Sequence, residues 1–130
     1  MSVELAWTAG FMDGEGCIVV GANGSLQVRI INTSLRSLER VKAAVGCGVI
    51  KPRKQIVNKP QYYWSCYGED AQRVLGELAP YLTAKLEQAV TGFEYYDTIK
   101  SWPKTRENVS IRKAFVDMTR AKLTTMKFND

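Results

Sequence analysis

Thr8-Ala9-Gly10-Phe11-Met12-Asp13-Gly14-Glu15-Gly16 is the stretch on which the reading of this 130-residue chain turns. Ser2 can cap a helix beginning at residue 3, and Glu4 favours its first turn. Small or apolar residues recur at Leu5, Ala6, Ala9, Gly10 and Phe11. The spacing predicts a helix over 3–13, ended by Gly14 and Gly16. Ala6, Gly10 and Gly14 stand one turn apart on one side of it. Such a stripe lets a second backbone come closer than the ~8–10 Å between ordinary packed helices. Asp13 and Glu15 then fall at the helix end, where the dipole is negative and disfavours acids. Something must compensate, and a divalent cation can. A plain helix stop with two solvated acids is the alternative that these residues leave open. An EF-hand is excluded: a loop starting at Asp13 would need Gly at 18 and Glu at 24, where the chain has Ile18 and Gly24.

The segments that follow read as a repeated pattern. Cys17–Val20 and Leu26–Ile31 form a hairpin around Ala22-Asn23-Gly24-Ser25. Leu26, Val28 and Ile30 alternate with Ser25, Gln27 and Arg29, so one face is apolar and the other polar and basic. The same parity sends Val19 and Gly21 outward with Lys51 and Arg53. Ser34 caps a helix through Val45, stopped by Gly46-Cys47-Gly48. Strands are expected over about 49–54 and 61–67, joined by a polar linker over 55–60. Helices are expected over 70–78 and 83–100, with Pro80 between them. Beyond Trp102-Pro103, a last helix over 107–123 has Val109, Ala114, Phe115, Met118 and Leu123 as its expected apolar side. The order is α-β-β-α-β-β-α with a helical extension. It predicts an α+β fold with a four-stranded antiparallel sheet, helices on one face and a solvated basic face opposite.

Composition narrows the function. Hydrophobic residues make up 45% and charged residues 24%, as in one folded globular domain over 1–130, its core at 3–100 and its extension at 104–126. No 18-residue apolar run exists, and the start lacks the basic region of a secretory signal. An intracellular protein of the cytoplasm or an organelle matrix, with no membrane partner, is expected. Three scattered cysteines argue against a disulfide scaffold or zinc site, and the absence of histidine excludes Ser-His and Cys-His catalysis. The net charge of +5 is uneven: residues 29–60 hold eight basic residues against one acid. That concentration points to a polyanion partner.

With this order in place, Leu5-Ala6-Trp7-Thr8-Ala9-Gly10-Phe11-Met12-Asp13-Gly14-Glu15-Gly16 resembles the signature helix of the LAGLIDADG homing endonucleases. Ile30-Ile31-Asn32-Thr33, Gly46-Cys47-Gly48 and Leu78-Ala79-Pro80-Tyr81-Leu82 before Lys85 resemble later landmarks of that family. Thr8 in place of a Leu and Glu15 in place of an Asp are departures; the acidic chemistry survives the second. The resemblance implies a saddle-like sheet and Mg2+-dependent cutting of both strands of double-stranded DNA at a long pseudo-palindrome. It implies no small-molecule cofactor; Mn2+ or Ca2+ could substitute for Mg2+.

One motif per chain implies a homodimer, with Ala6, Ala9, Gly10, Asp13 and Gly14 at its interface. Glu15 is the implied metal-ligating carboxylate, with the Gly14 carbonyl helping. Asp13 is implied to bridge at the helix junction, with a catalytic role as the alternative. Asn32 is implied to order water and Lys85 to act at the reacting phosphate. On the basic face, Val19, Gly21, Asn23, Ser25, Gln27, Arg29, Lys51, Arg53, Lys54, Gln61, Tyr63 and Ser65 are the expected DNA-binding residues, with Arg36 nearby. Arg112, Lys113, Arg120 and Lys122 are expected to meet phosphates. A catalytically silent domain serving as RNA maturase or DNA-binding regulator is the alternative, as is a metal-free interaction protein.

Overall fold

A computed structural model describes residues 2–54 and 59–129. The first helix, α1 (Val3–Glu15), is started by Ser2, whose hydroxyl accepts the Leu5 amide at 3.2 Å, and is closed by Gly16. It runs two residues past the expected end, so Gly14 lies inside its last turn. A hairpin follows, β1 (Gly16–Val20) and β2 (Leu26–Asn32), then α2 (Leu35–Val45), capped by Ser34 and ended by Gly46. Strands β3 (Val49–Arg53) and β4 (Gln61–Tyr67) lead into α3 (Gly68–Leu78), a short 3-10 turn over Ala79–Tyr81, and α4 (Leu86–Ile99). A second 3-10 turn precedes α5 (Val109–Asn129). The expected linker over 55–60 falls in part on residues 55–58, outside the described residues. Helix α4 starts three residues after the expected Thr83, because residues 83–85 are held in a turn by another segment described below.

The four strands form one antiparallel sheet in the order β1-β2-β4-β3. Register aligns Cys17, Arg29, Ser65 and Val49 in one row across it, and Ile30, Trp64 and Ile50 in a row of opposite parity. Ile18, Val20, Leu26, Val28, Ile30, Trp64 and Cys66 point to the helices and are buried against Leu38, Val41, Val74, Leu75 and Leu78. Gln27, Lys51 and Arg53 keep solvent contact on the other side. The expected alternation therefore holds, because an apolar residue placed on the wrong parity would leave the core.

The last helix corrects its expected face. Val109 and Met118 are 59% and 69% exposed, and Ala114 is exposed as well. Phe115 and Leu123 face the core as expected, joined there by Val116 and Thr119, and Thr119 is admitted because its hydroxyl donates to the Phe115 carbonyl at 3.0 Å. Phe115 stacks on Tyr95 of α4 at 5.3 Å between ring centroids.

Tyr95 also fixes the hairpin that carries the polar face. Its hydroxyl, in a side chain 2% exposed, donates to the Gly24 carbonyl at 2.6 Å. Burial raises the phenol above its ordinary pKa, so it remains a donor. Gly24 itself sits at φ +91°, a conformation open to glycine. Tyr95→Phe would leave that carbonyl buried without its donor. The expected loss is about 1–3 kcal/mol of stability, read from the urea midpoint; an unchanged midpoint would mean the carbonyl finds another donor.

Candidate nucleic-acid interface and acidic helix end

Asp13 joins two distant parts of the chain. Its Oδ2 accepts the Thr83 amide at 2.9 Å and its Oδ1 accepts the Lys85 amide at 3.0 Å. Lys85 returns the contact: its Nζ donates to the Asp13 carbonyl at 2.7 Å. The carboxylate thus acts as a cap for the turn entering α4, whose own N-cap position, Lys85, has no side-chain cap. The negative end of α1 is offset here by two amides and an ammonium. For Asp13 that compensation comes from the chain's own groups.

Glu15 differs from Asp13. It is exposed and makes no hydrogen bond or ion pair among the described residues. Gly16 pairs with Ile30, so Glu15 and Asn32 lie at the same end of the sheet. The Asn32 Oδ1 accepts the Ser34 amide at 2.8 Å, which orients the side chain and leaves its NH2 group unused. Arg36 is exposed in the first turn of α2, just beyond. The register and the Asp13 bridge therefore gather Glu15, Asn32 and Lys85 at one end of the sheet. No cluster of three or more acidic, cysteine or histidine side chains suited to a metal occurs among the described residues. Glu15 and the backbone carbonyls of the last helical turn, Gly14 included, are the hard oxygen donors on offer.

At the far end, the hairpin groups its polar side chains. Gln27 Nε2 donates to Ser25 Oγ at 3.0 Å, and Asn23 Oδ1 accepts the Ser25 amide at 3.1 Å, an Asx turn. Gly21 leaves the space they occupy: a Cβ there would lie 2.9 Å from Asn23 Oδ1 and 3.0 Å from Gln27 Nε2. Along the sheet, Lys51, Arg53 and Lys54 are exposed, and Arg53 donates to Gln61 at 3.1 Å across β3 and β4. Val19 and Tyr63 are half-buried on the same face. Arg29 is half-buried, and its Nε is covered without a hydrogen-bond partner among the described residues. An uncompensated donor of this kind costs about 1–3 kcal/mol.

Several expected site residues are corrected. Ser65 is 1% exposed: it lies mid-sheet between Arg29 and Val49, and its hydroxyl contacts Tyr67 at 3.3 Å, so it offers nothing to a partner. Ala9 is 0% exposed in the core beside Met12 and cannot join an interface. Of the α5 cations expected at phosphates, Arg112 donates to the Ile99 carbonyl at 3.3 Å and keeps its charge, exposed Lys113 pairs with Asp117 at 3.0 Å, and Arg120 and Lys122 are exposed. Gly10 and Gly14 are exposed, and a Cβ at either would meet nothing within 4 Å. Sequence reasoning missed the Glu4–Arg40 pair, bidentate at 2.9 Å, with the guanidinium 4.0 Å over the Trp7 ring. It joins the first turn of α1 to α2, and hydrogen bonding to Arg40 holds the Glu4 carboxyl below its ordinary pKa.

No protein-family model matches the sequence. The chain is 30% identical over 117 residues to a DNA endonuclease of Chlorella vulgaris, I-CvuI, across 81% of this chain and 69% of that one. Its fold is that of the crystal structure of I-CvuI bound to its target in the presence of Ca (TM-score 0.76, 20% identity, 95% of this chain and 82% of that one). The same fold appears in an archaeal intron-encoded homing endonuclease complexed with DNA, I-Vdi141I (TM-score 0.75, 17% identity, 95% and 83%). It appears also in the homing endonuclease I-TnaI (TM-score 0.66, 20% identity, 99% of each chain). Asp13→Ala removes the cap that ties α1 to α4 and should cost about 1–2 kcal/mol. Asp13→Asn, which keeps one acceptor, should cost less; equal urea midpoints for both variants and the parent would dismiss the bridge as a stabilising contact.

Proposed function

The chain belongs to the LAGLIDADG homing endonucleases, and on that premise we propose that it is a site-specific DNA endonuclease acting as a homodimer. It hydrolyses both strands of a long pseudo-palindromic site with Mg2+. The observation that carries this reading is the pairing of an unpartnered Glu15 with a Lys85 fixed one hydrogen bond away from the same helix end.

The donor set suits the metal. Mg2+ prefers hard oxygen ligands and commonly keeps several waters while using one or two carboxylates and substrate phosphates. One exposed carboxylate per chain fits that habit, the rest of the shell coming from a second protomer, DNA and water. Glu15 would hold the ion, assisted by the Gly14 carbonyl; when bound, it lowers the pKa of water and stabilises charge on the leaving oxygen. Lys85 would donate to the reacting phosphate with the N–H bonds that its ammonium does not spend on the Asp13 carbonyl. Asn32, oriented by Ser34, has its NH2 group available to order a water. None of these roles needs histidine.

The homodimer is supported by a cost that this chain's own fold does not explain. Glycine inside a helix is destabilising by roughly 0.5–1 kcal/mol relative to alanine. Gly10 and Gly14 lie in open space, so alanine would fit at both. A closely packed partner helix accounts for them, and Ala6 continues the row. For recognition, a two-stranded ribbon fits the major groove, where each base pair presents its own pattern of donors and acceptors. A strand of about six residues spans ~20 Å, close to six base pairs at ~3.4 Å each. Arg29 and Arg53 suit guanine, and Gln27 suits adenine.

Incubating the protein with a library of random duplexes, with Mg2+ or with EDTA, should return one family of double-strand-cut sites in the Mg2+ arm alone. Glu15→Gln should bind the recovered site and leave it intact. Binding without cutting by the parent protein would instead favour the DNA-binding or maturase reading. Gly10→Leu fills the open row and should give monomers by light scattering; a normal dimer would remove α1 from the interface.

A further inference from the structure

The last turn of α5 carries a cation that the sheet residues do not account for. Leu123, 2% exposed, is embedded in the core, and Met126 Sδ accepts the Thr91 hydroxyl at 3.8 Å. Those contacts fix where the next residue goes. Lys127 Nζ lies 3.5 Å from Cys17 Sγ, 110 positions away in sequence. Cys17 is on the outward parity of β1, opposite Arg29 in the register and two residues beyond Glu15. A thiol is a weak acceptor and leaves the charge of a lysine in place. Lys127 is exposed and has no ion pair among the described residues.

We propose that Lys127 is a DNA-phosphate ligand: α5 delivers it to the β1 edge of the basic face, beside the sheet end that holds Glu15. This rests on the endonuclease reading above and extends it to the helix beyond the repeated core. Phosphate is the better match than a base edge for two reasons. An ammonium is a compact point charge without the planar fork that reads guanine. Strand β1 is also an edge strand, so its flank meets the rim of a duplex seated on the sheet, where the backbone runs. The Arg29 guanidinium, with its Nε unpartnered, lies across the register from the same contact. The two would engage one stretch of backbone and the groove beside it.

The test compares Lys127→Met with Lys42→Met, an equal charge change on α2, which packs on the side of the sheet away from the basic face. The reading is the salt dependence of binding to the recovered site and to a random duplex of equal length. Lys127→Met should weaken both complexes by the same factor and lower the slope of log K against log salt by about 1 for each protomer. Lys42→Met should leave the slope as it is. If the parent binds steeply with salt and Lys127→Met keeps its slope, the assignment is overturned while the endonuclease reading stands. An equal drop for both variants would reduce the effect to general charge and overturn it too. A parent that binds no duplex would overturn the endonuclease reading itself.

Discussion

The bridge between Asp13 and the turn at residues 83–85 is the contact on which the candidate site depends. The C-terminal end of α1 is a poor place for a carboxylate, because the last carbonyls leave it negative. The fold answers with two amides and the Lys85 ammonium, all from a segment 70 positions later. Local electrostatics thereby become a long-range constraint. The start of α4 cannot move without leaving Asp13 uncompensated, and Lys85 is delivered to the acidic end by the same geometry. Glu15, two residues on, receives no such help and stays open to whatever cation arrives.

A division of labour follows between two acids that look alike in the sequence. Asp13 is consumed by structure, since both its oxygens hold backbone amides. Glu15 is exposed and unpartnered among the described residues, which is why the proposed function gives it the metal. One carboxylate per chain makes a weak site for a divalent ion, and two copies brought together by α1 make a better one. In the proposed homodimer, dimerisation and metal binding would be coupled, because the glycines that let the helices approach would also set the distance between the two Glu15 side chains.

The features legible in the sequence are those that repeat with the period of their element. Leu26, Val28 and Ile30 alternate strictly, so their face could be assigned before the sheet was known, and the Gly10–Gly14 row could be seen at helical spacing. Legibility failed where cover, not direction, decides. Ser65 has the parity of the basic face, yet it lies between two strands with Arg29 and Val49 beside it and is lost from solvent. Ala9 is one position off the Ala6–Gly10–Gly14 row, which is enough to turn it into the core. In α5 the apolar signal was right for Phe115 and Leu123 and wrong for Val109, Ala114 and Met118. The exposed side carries Val109, Ile111 and Met118, while the buried side includes a threonine that bonds to its own helix. The Asp13 bridge is invisible for a different reason: no period links residue 13 to residue 83.

The weak amphipathicity of α5 has a structural consequence. A helix whose buried row mixes Phe115, Val116, Thr119 and Leu123 gains less from burial than a fully apolar one would. Its position is instead defined by specific contacts at both ends. Arg112 bonds to the carbonyl of Ile99 at the start, and Met126 meets Thr91 near the finish. Helix α5 therefore bridges the exit of α4 and the edge of β1, closing one side of the sheet that would otherwise present unpaired backbone. The same edge strand begins at Gly16, immediately after Glu15, so a helix placed to protect it necessarily ends beside the acidic site. Cover of the β1 edge and the placing of the Lys127 ammonium near Cys17, two residues from Glu15, are thus two results of one packing solution.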